Sequence, residues 1–461
     1  MDNDGLPTTL DSWLARLEAA HPVGIDLGLE RVACVAQRLG LTERPIARRV
    51  ITVAGTNGKG STVAMLEALG RAHGLSTAAY TSPHLVRYNE RLRLDASEAS
   101  DEVLIEGFVA VEQARLAPSP VSLTYFEVGT LAALWTIARR QPDLAVLEVG
   151  LGGRLDAVNV VDPDVAVVTT VAQDHAAFLG NDIAIIGREK AGIMRTGRPA
   201  VLGSRDLPSS VADHARSLGA PIFALGEAFA HSGSHAGSQA APCAAPCAGP
   251  DGEQGGWSWR GSDAQGQPVG LERLSDPGLP LDNAASALQA LWLALGELDP
   301  DACRQALAEV HLPGRMQWRG NWCLDVGHNP HAANYLAGRL VERREVQREV
   351  QGRTLCLIGM LEDKDAEGVI AALSPVVDAW LPVTLEGDRG RSAADLAARI
   401  EHQGGTILHH ADSVDDGADW LESCVESADR VLVTGSFFTV AAILARWSRQ
   451  SSGGGVIEGA T

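Results

Sequence analysis

Residues 50–70 read VITVAGTNGKGSTVAMLEALG, and this stretch decides the fold. An apolar run, Val50–Ala54, leads into a glycine-rich turn, and a helical pattern follows from Ser61. Glycines let the backbone bend tightly, and a helix N-terminus presents the positive end of its dipole to an anion. Lys59 adds a point charge for phosphates. The segment predicts a phosphate loop, although Gly60 separates the lysine from the hydroxyl residues, and a glycine-rich turn with a solvated lysine is the alternative.

Short apolar runs alternate with longer amphipathic stretches through most of the chain. This alternation is typical of parallel sheets that helices cover on both faces. The strand candidates are Val50–Ala54, Leu144–Val149, Val165–Thr170, Trp322–Val326, Thr354–Ile358 and Val431–Thr434. The helical candidates include Ser61–Arg71, Thr130–Arg139 and Asn283–Leu295. The pattern predicts the α/β class.

The length of 461 residues suggests two or three domains, each able to bury a core. A junction is expected near residues 297–313, after the helical candidate that starts at Asn283 and before the strand that starts at Trp322. We therefore predict a P-loop-containing parallel sheet domain over residues 1–312. A smaller Rossmann-like α/β domain is predicted over residues 313–461.

Residues 227–267 interrupt the alternation, because they are crowded with Gly, Ser, Ala, Pro and His. Such a composition buries too little apolar surface to offset the entropy of ordering, so the sequence predicts a flexible loop within the first domain. Cys243 and Cys247 form a C-x₃-C pair, with His231 and His235 upstream. A metal site is conceivable, but no second cysteine pair follows at zinc-site spacing. A solvent-exposed loop is the favoured interpretation.

The charge balance is acidic, since 38 Lys plus Arg stand against 58 Asp plus Glu and the net charge is −20. This argues against non-specific nucleic-acid binding but leaves room for a nucleotide at a local site. The apolar runs fall far short of the ~18 residues that cross a bilayer. The N-terminus lacks the pattern of a secretion signal, so we expect a cytoplasmic protein. Seven scattered cysteines fit reduced thiols.

Polar residues follow several predicted strands, where the ligands of open parallel sheets collect. Ser82 follows a strand at Ala78–Tyr80, Glu148 lies near the end of the next long apolar run, and His175 lies beyond a later one. A carboxylate is costly to bury in an apolar strand unless it is paired or metal-bound, so Glu148 suits Mg²⁺. His175 alone fits a hydrogen-bonded loop histidine better, because histidine prefers transition metals. Lys190 alone fits a helix-surface lysine paired with a glutamate.

These segments together resemble the bifunctional dihydrofolate synthase/folylpolyglutamate synthase family, within the Mur-type ATP-dependent amide ligases. The resemblance covers nearly the whole chain except the low-complexity segment and both tips, and the joint order of its motifs is very specific. The matching motifs are HPVGIDLGLERV, VAGTNGKGST, TSPHLVRYNERLR, LTYFEVGTLAALW, LEVGLGGRLDAVN, DHAAFLG, IGREKAGI, LPLDNAASAL, LPGRMQ, DVGHNPHAA, IGMLEDKD and TGSFFTV.

The resemblance implies a set of site residues. The ATP phosphates would be held by Gly58, Lys59, Gly60 and Ser61, and magnesium by Ser82, Glu148 and His175. Lys190 would be carbamoylated by CO₂ and would help to position a second magnesium ion. The pterin substrate would contact Thr124, Tyr125, Phe126, Glu127, Leu155, Asp156 and Ala157. The nucleotide would contact Asn283 at the adenine, Arg315 at the γ-phosphate and Asp325 at the ribose, with His328 and Asn329 nearby.

The residues themselves agree with several of these implied roles. Arg315 follows Pro313-Gly314 at the predicted junction, where a guanidinium could swing onto a phosphate; a hinge-surface arginine is the alternative. Asp325 ends a predicted strand, where a nucleotide hydroxyl or the next turn could be its partner. Tyr125 and Phe126 offer a plane for a flat pterin, although an aromatic core pair fits nearly as well.

The implied activity is that of an ATP-dependent carboxylate–amine ligase. It would join L-glutamate to dihydropteroate, and to the γ-carboxylate of folates, through an acyl phosphate. ATP and Mg²⁺ are the implied cofactors, and the enzyme is expected to be a monomer without nucleic-acid or membrane partners. Two departures from the family pattern are Gln173, where an apolar residue is frequent, and Ala176, where a threonine is expected.

Two other functions stay open at this point. A muramyl–amino acid ligase would apply the same chemistry to a UDP-sugar peptide, but its loop reads GT-x-GK-[ST], and the TSPHL and TYFE segments argue against it. A P-loop switch or regulatory nucleotide-binding module would leave Glu148, His175 and Lys190 without a shared purpose.

Overall fold

The structure, a computed structural model, describes residues 5–20, 26–174, 176–233, 256–347 and 352–453. It divides into two compact units. The first comprises the chain up to Gly233 together with the segment that ends at His311, and the second begins at Leu312. No described helix combines the length and the apolarity that would let it span a bilayer.

The first unit is built on an eight-stranded sheet of short, mostly apolar strands. In chain order the strands are β1 (Arg49–Ala54), β2 (Thr77–Tyr80), β3 (Leu92–Leu94), β4 (Ser97–Glu98), β5 (Leu144–Glu148), β6 (Val165–Val168), β7 (Ala200–Leu202) and β8 (Ile222–Ala224). Their spatial order is β4-β3-β2-β5-β1-β6-β7-β8; the pairs β2–β3 and β3–β4 are antiparallel, and the other pairs are parallel. Val53 of β1 pairs with Glu148 of β5, so the strand that leads into the phosphate loop ends beside the strand that carries Glu148.

Helices cover both faces of this sheet, as its continuous apolar strands require. They are α1 (Leu10–Ala20), α2 (Glu30–Arg38), α3 (Lys59–Ala72), α4 (Asp101–Leu116), α5 (Tyr125–Arg140), α6 (Ala176–Leu179), α7 (Ile183–Ala191), α8 (Ser209–Leu218), α9 (Leu281–Leu295) and α10 (Pro300–Glu309), with 3₁₀ turns at Tyr88–Arg91 and Ala157–Val160. Alternate residues of β5 face opposite layers: Ala145 and Leu147 join the core with α4 and α5, whereas Leu144 approaches Gly70 of α3. The predicted P-loop-containing sheet is confirmed.

A small antiparallel sheet corrects the predicted flexible loop over residues 227–267. Its strands are β9 (Ala230–Ser232), β10 (Trp257–Ser262) and β11 (Pro268–Leu274). Trp257 and Trp259 are buried on one face of β10, and the ring of Trp259 lies 5.8 Å from that of Trp292 on α9. Two buried indoles supply the apolar surface that the average composition concealed. The middle of the predicted loop, with its cysteine pair and His235, lies outside the described residues.

The second unit has a five-stranded sheet of its own. The strands are β12 (Gln317–Arg319), β13 (Trp322–Leu324), β14 (Thr354–Ile358), β15 (Ala379–Pro382) and β16 (Arg430–Thr434), in the order β12-β13-β16-β14-β15. The helices are α11 (Pro330–Gln347), α12 (Ala366–Leu373), α13 (Ala393–His402), α14 (Val414–Cys424) and α15 (Phe437–Gly453). All strands except β12 run parallel, which confirms the prediction of a smaller second α/β sheet.

Two strands end two residues earlier than the apolar runs predict, and β5 ends one residue earlier, at Glu148 instead of Val149. β6 stops at Val168 instead of Thr170, and β13 stops at Leu324 instead of Val326. In both places the next polar side chain forms hydrogen bonds with backbone groups outside the sheet: Thr169 donates to the carbonyl of Asn57, and Asp325 accepts from the N–H groups of Met316 and Gly327. The site begins where these strands end.

Candidate active site

The phosphate loop joins β1 to α3 and is held from the end of β6. The hydroxyls of Thr169 and Thr170 donate to the carbonyl of Asn57 over 2.7 and 3.0 Å, and the N–H of Asn57 donates to Thr170 Oγ1 over 2.9 Å. Sequence reasoning does not single out these threonines. Their place at the carboxyl end of a strand beside β1 is the signal that could have found them.

The N-terminus of α3 closes the loop. Gly58 precedes the helix with a φ of +88°, a left-handed conformation that glycine adopts readily. The hydroxyls of Ser61 and Thr62 donate to the Gly58 carbonyl over 3.0 and 2.8 Å. Nδ2 of Asn283, on α9, donates to Ser61 Oγ over 2.8 Å. Asn283 therefore lies against the phosphate loop, and its contact with adenine stays a prediction.

We expect the variant Gly58→Ala to bind ADP at least ~10-fold more weakly than the wild type. The added methyl group would strain the backbone of the phosphate loop, whose N–H groups are expected to bind the phosphates. A Cβ at this position would lie 2.7 Å from Asn283 Oδ1, in addition to the unfavourable φ. Gly74→Ala is the matched control: its φ is +75°, but no atom lies within 4 Å of the added Cβ. Calorimetric titration with ADP measures both affinities. Equal affinities would show that packing at Gly58 does not govern nucleotide binding.

Two lysine side chains meet at one carbonyl of the loop. Lys59 Nζ donates to the carbonyls of Gly55 and Thr56 over 3.1 and 3.3 Å, and Lys190 Nζ donates to the same Gly55 carbonyl over 3.0 Å. Lys190 is 4% exposed, so the interpretation of a helix-surface lysine is wrong. Its neighbour Glu189 pairs with Arg154 instead, at 2.9 Å. The tertiary structure therefore places Lys190 against the phosphate loop, which its own segment does not predict.

The environment of Lys190 favours its neutral form. Burial and, to a smaller extent, the positive charge of Lys59 together lower the pKa of Lys190 from 10.5 to about 7, while Asp174 and Asp156 oppose the shift. A buried amine near neutrality is a nucleophile at physiological pH, as an ammonium ion is not. The chemistry that carbamoylation requires is therefore available at this position.

The use of lysine in this chain is concentrated at the same place. Of its 38 Lys and Arg residues, three are lysines: Lys59, Lys190 and Lys364. The other 35 of these residues are arginines, and arginine is the cation in ion pairs throughout the described part of the chain. A guanidinium stays charged in proteins, whereas an amine is a compact charge that can lose its proton. Two of the three lysine side chains contact the phosphate loop through the Gly55 carbonyl, which indicates that this site needs an amine specifically.

Two of the three predicted metal ligands come together at neighbouring strand ends. The backbone N–H of Ser82 donates to Glu148 Oε2 over 3.2 Å, and Glu148 is buried. Carboxylate and hydroxyl oxygens are hard donors that fit Mg²⁺. His175 lies outside the described residues, and within those that are described no group of three His, Cys, Asp or Glu side chains is arranged as a metal site.

The two segments predicted to contact the pterin also lie together. Thr124 begins α5 with a capping box: its hydroxyl accepts from the N–H of Glu127, and its own N–H donates to the Glu127 carboxylate, over 3.2 and 2.7 Å. The Phe126 ring packs on the backbone of Gly150, where an added Cβ would lie 2.4 Å from the ring. Tyr125 meets the ring of Tyr88 edge-on at 5.9 Å. The stacking plane for a pterin stays a prediction.

Asp156 closes the turn that follows β5. Its carboxylate accepts from the N–H groups of Leu151 and Val158 over 2.8 and 3.0 Å, so it fixes the conformation of Leu155 and Ala157 on either side. Burial raises the pKa of Asp156 to about 6, and these N–H groups and Lys59 oppose the shift. Asp156 is thus within electrostatic range of both loop lysines.

The second unit groups its predicted nucleotide residues around Phe437. The Arg315 guanidinium lies 5.2 Å from the centre of the Phe437 ring, and the His328 ring lies 5.9 Å from it. Asp325 accepts from the N–H groups of Met316 and Gly327 over 3.0 and 2.8 Å. Burial raises the pKa of Asp325, and the charge of Arg315 opposes this. Sequence reasoning missed Phe437, although it lies in the TGSFFTV motif.

Known proteins match this chain over almost its full length. The Mur ligase middle domain matches residues 53–207, and the domain described as Mur ligase, glutamate ligase domain matches residues 314–437. The dihydrofolate synthase/folylpolyglutamate synthase of Escherichia coli (strain K12) is 44% identical over 448 residues, which are 96% of this chain and 97% of that protein.

Solved structures agree with these matches. The E. coli FolC structure in complex with DHPP and ADP is 43% identical, with a TM-score of 0.85, and covers 96% of this chain and 99% of its own. A bifunctional folylpolyglutamate synthase/dihydrofolate synthase with Mn, AMPPNP and L-glutamate bound is 41% identical, with a TM-score of 0.82, and covers 96% and 98%. The chain therefore belongs to the dihydrofolate synthase/folylpolyglutamate synthase family, and it is an ATP-dependent ligase that forms amide bonds.

Proposed function

We propose that this enzyme ligates L-glutamate to the carboxylate of dihydropteroate, which yields dihydrofolate, and to the γ-carboxylate of folates. The ligands of the solved relatives, DHPP, ADP, AMPPNP and L-glutamate, support these substrates. The observation that carries the proposal is the convergence of the Lys59 and Lys190 side chains on the Gly55 carbonyl, with Asp156 in electrostatic range. This arrangement places one cationic amine and one amine that burial favours in the neutral form at the same phosphate loop.

The reaction activates an inert carboxylate. The carboxylate oxygen attacks the γ-phosphorus of ATP, the bond to the β-phosphate oxygen breaks, and ADP leaves. The amine of glutamate then attacks the carbonyl carbon of the acyl phosphate, loses a proton and expels inorganic phosphate. The protein contributes mainly positioning and charge neutralisation. Lys59 would neutralise the phosphate charge, and the N–H groups at Gly58, Gly60 and Ser61 would bind phosphate oxygens.

The oxygen donors of Ser82 and Glu148 fit Mg²⁺, and His175 would complete the set. A bound Mg²⁺ would neutralise charge on the transferring phosphoryl group. We further propose that Lys190 reacts with CO₂ through its neutral amine to give a carbamate. The amine nitrogen adds to the carbon of CO₂, one C–O π bond opens to an oxygen anion, and the nitrogen releases one proton to water. The side chain then carries an oxygen anion, which would favour a second metal ion.

The proposal also assigns a role to each of the two predicted domains. Residues 1–312 would hold the phosphates and the pterin, and residues 313–461 would provide Arg315, Asp325 and His328 for the nucleotide. Asn283 is assigned to the adenine. The proposal includes a monomeric enzyme in the cytoplasm.

A substrate panel tests the proposal directly. Purified enzyme is incubated with Mg-ATP and L-glutamate, together with dihydropteroate, tetrahydrofolate or a UDP-muramoyl acceptor, and the products are identified by mass spectrometry. We expect a glutamyl adduct with the first two acceptors and none with the third. A product from the UDP-muramoyl acceptor alone would instead establish a muramyl ligase, and glutamate-independent ATP hydrolysis alone would favour a regulatory nucleotide-binding module.

A further inference from the structure

Arg31, in the first turn of α2, links two acidic side chains. Its Nη1 donates to Asp26 Oδ2 over 2.6 Å, and its Nη2 donates to the Asp26 carbonyl over 3.1 Å and to Glu127 Oε1 over 2.8 Å. Glu127 is buried, with 5% of its side chain exposed, whereas Asp26 is 42% exposed. Among the described residues, no acceptor lies within hydrogen-bond distance of Arg31 Nε. The two Nη groups therefore make the whole connection.

Glu127 divides its two oxygens between Arg31 and the helix cap. Oε2 accepts from the N–H of Thr124, and Oε1 accepts from Arg31. Without Arg31, Glu127 would be a buried carboxylate without its ion-pair partner. Such a group protonates or turns toward water, because its charge is costly in a low-dielectric surrounding. Either change would loosen the capping box that fixes where α5 begins.

The start of α5 also positions Phe126, one of the residues proposed to contact the pterin substrate. Phe126 lies between Tyr125 and Glu127 in the first turn, and its ring is packed against Gly150. Val32 of α2 and Val128 of α5 pack in the same core, so the two helices are already joined by apolar contacts. The Arg31 bonds therefore adjust the orientation of the first turn more than they hold the helices together.

We propose that Arg31 is a positioning residue for the acceptor substrate: through Glu127 and the capping box it fixes the first turn of α5, and Asp26 orients its guanidinium. This rests on the proposed function, in which residues 124–127 contact the pterin. Arginine suits this position because the two Nη groups of one planar guanidinium reach the two acids separately, whereas a lysine ammonium has its three donors on a single nitrogen.

Arg38 provides a matched control on the same helix. Like Arg31 it is partly buried and is held through its guanidinium, in this case by Nη1 to the carbonyls of Ala114, Arg115 and Ser119 over 2.9, 3.3 and 3.0 Å and by Nη2 to Ser119 Oγ over 3.5 Å. Those acceptors lie in the last turn of α4 and just beyond it, and none of them belongs to the capping box of Thr124 and Glu127. Arg31→Gln and Arg38→Gln therefore each remove a guanidinium with several hydrogen bonds from α2, and only Arg31→Gln removes a contact with the capping box.

Steady-state kinetics on the full-length enzyme tests the proposal. Arg31→Gln should raise the KM for dihydropteroate by about 10-fold or more, because small displacements of a positioned group have large effects. The KM for ATP should stay within about 2-fold, and Arg31→Lys should fall between Arg31→Gln and the wild type. Arg38→Gln should leave the dihydropteroate KM unchanged, even if it lowers the midpoint of thermal unfolding as much as Arg31→Gln does.

The outcomes separate this proposal from the proposed function. Equal dihydropteroate KM values for the two glutamine variants, or an equal rise in the KM for ATP, would overturn the role of Arg31 while leaving the proposed function intact. If the wild type itself ligates glutamate to no pteroate or folate acceptor, the proposed function falls and this role with it. If Arg31→Gln does not fold, Asp26→Asn, at a more exposed position, replaces it, and an unchanged dihydropteroate KM in that variant would overturn the proposal.

Discussion

Replacing Lys59 by alanine should lower glutamate-dependent ADP release by about 10³-fold or more, the loss expected when one preorganised charge is removed from a phosphoryl-transfer site. The ammonium group lies at the N-terminus of α3, directly over the loop carbonyls of Gly55 and Thr56. No other described lysine than Lys190 reaches that loop, and burial favours the neutral form of Lys190. A coupled assay of ADP release with dihydropteroate and glutamate gives the rates.

The fold should survive this change, because Lys59 is only partly buried and the Gly55 carbonyl keeps its bond to Lys190. Circular dichroism and thermal melting check this. Lys364→Ala is the control: it removes the third lysine of the chain, in the second unit, and should leave turnover near that of the wild type. A Lys59→Ala enzyme that works within about 10-fold of the wild type would contradict the central role of this charge.

Replacing Lys190 by methionine should reduce ligation by at least about 10²-fold, yet leave the folded state as stable as the wild type or more so, since buried charged groups are often costlier than apolar ones of similar size. Methionine fills the same volume but cannot form a carbamate. With ¹³C-bicarbonate, the wild type should show a carbamate carbon signal by NMR that Lys190→Met lacks. The signal should be weak well below pH 7 and grow above it, as the amine loses its proton.

Folding stability offers a second readout on Lys190 in bicarbonate-free buffer. Between about pH 7 and 10.5 the unfolded chain binds a proton at this amine and the folded chain does not. Stability rises with pH wherever the unfolded state binds more protons, so the free energy of unfolding of the wild type should rise across this window. Lys190→Met should lack that contribution. Matching pH profiles of stability for the two proteins would contradict the burial of Lys190. A carbamate signal that persists in Lys190→Met would contradict its modification.

Local pattern was sufficient wherever the chemistry and the fold share one segment. The strand, glycine turn and helix around Lys59 lie within about twenty residues, so their period and composition predict a phosphate loop before any contact is known. The small sheet shows the opposite case. Trp257 and Trp259 alternate inward over a few residues, and the surrounding glycine- and serine-rich sequence conceals that pattern.

The sequence by itself determined the α/β class, the phosphate loop, the order of the motifs and, through them, the family. Only the tertiary structure decided the environment of each side chain. It buried Lys190 on the Gly55 carbonyl, brought Ser82 to Glu148 and set Arg31 on the cap of α5. The physical reason is that periodicity reports which face of an element is apolar, whereas desolvation and hydrogen bonding depend on partners far away in the chain, such as Asn283 and Ser61, which are 222 positions apart.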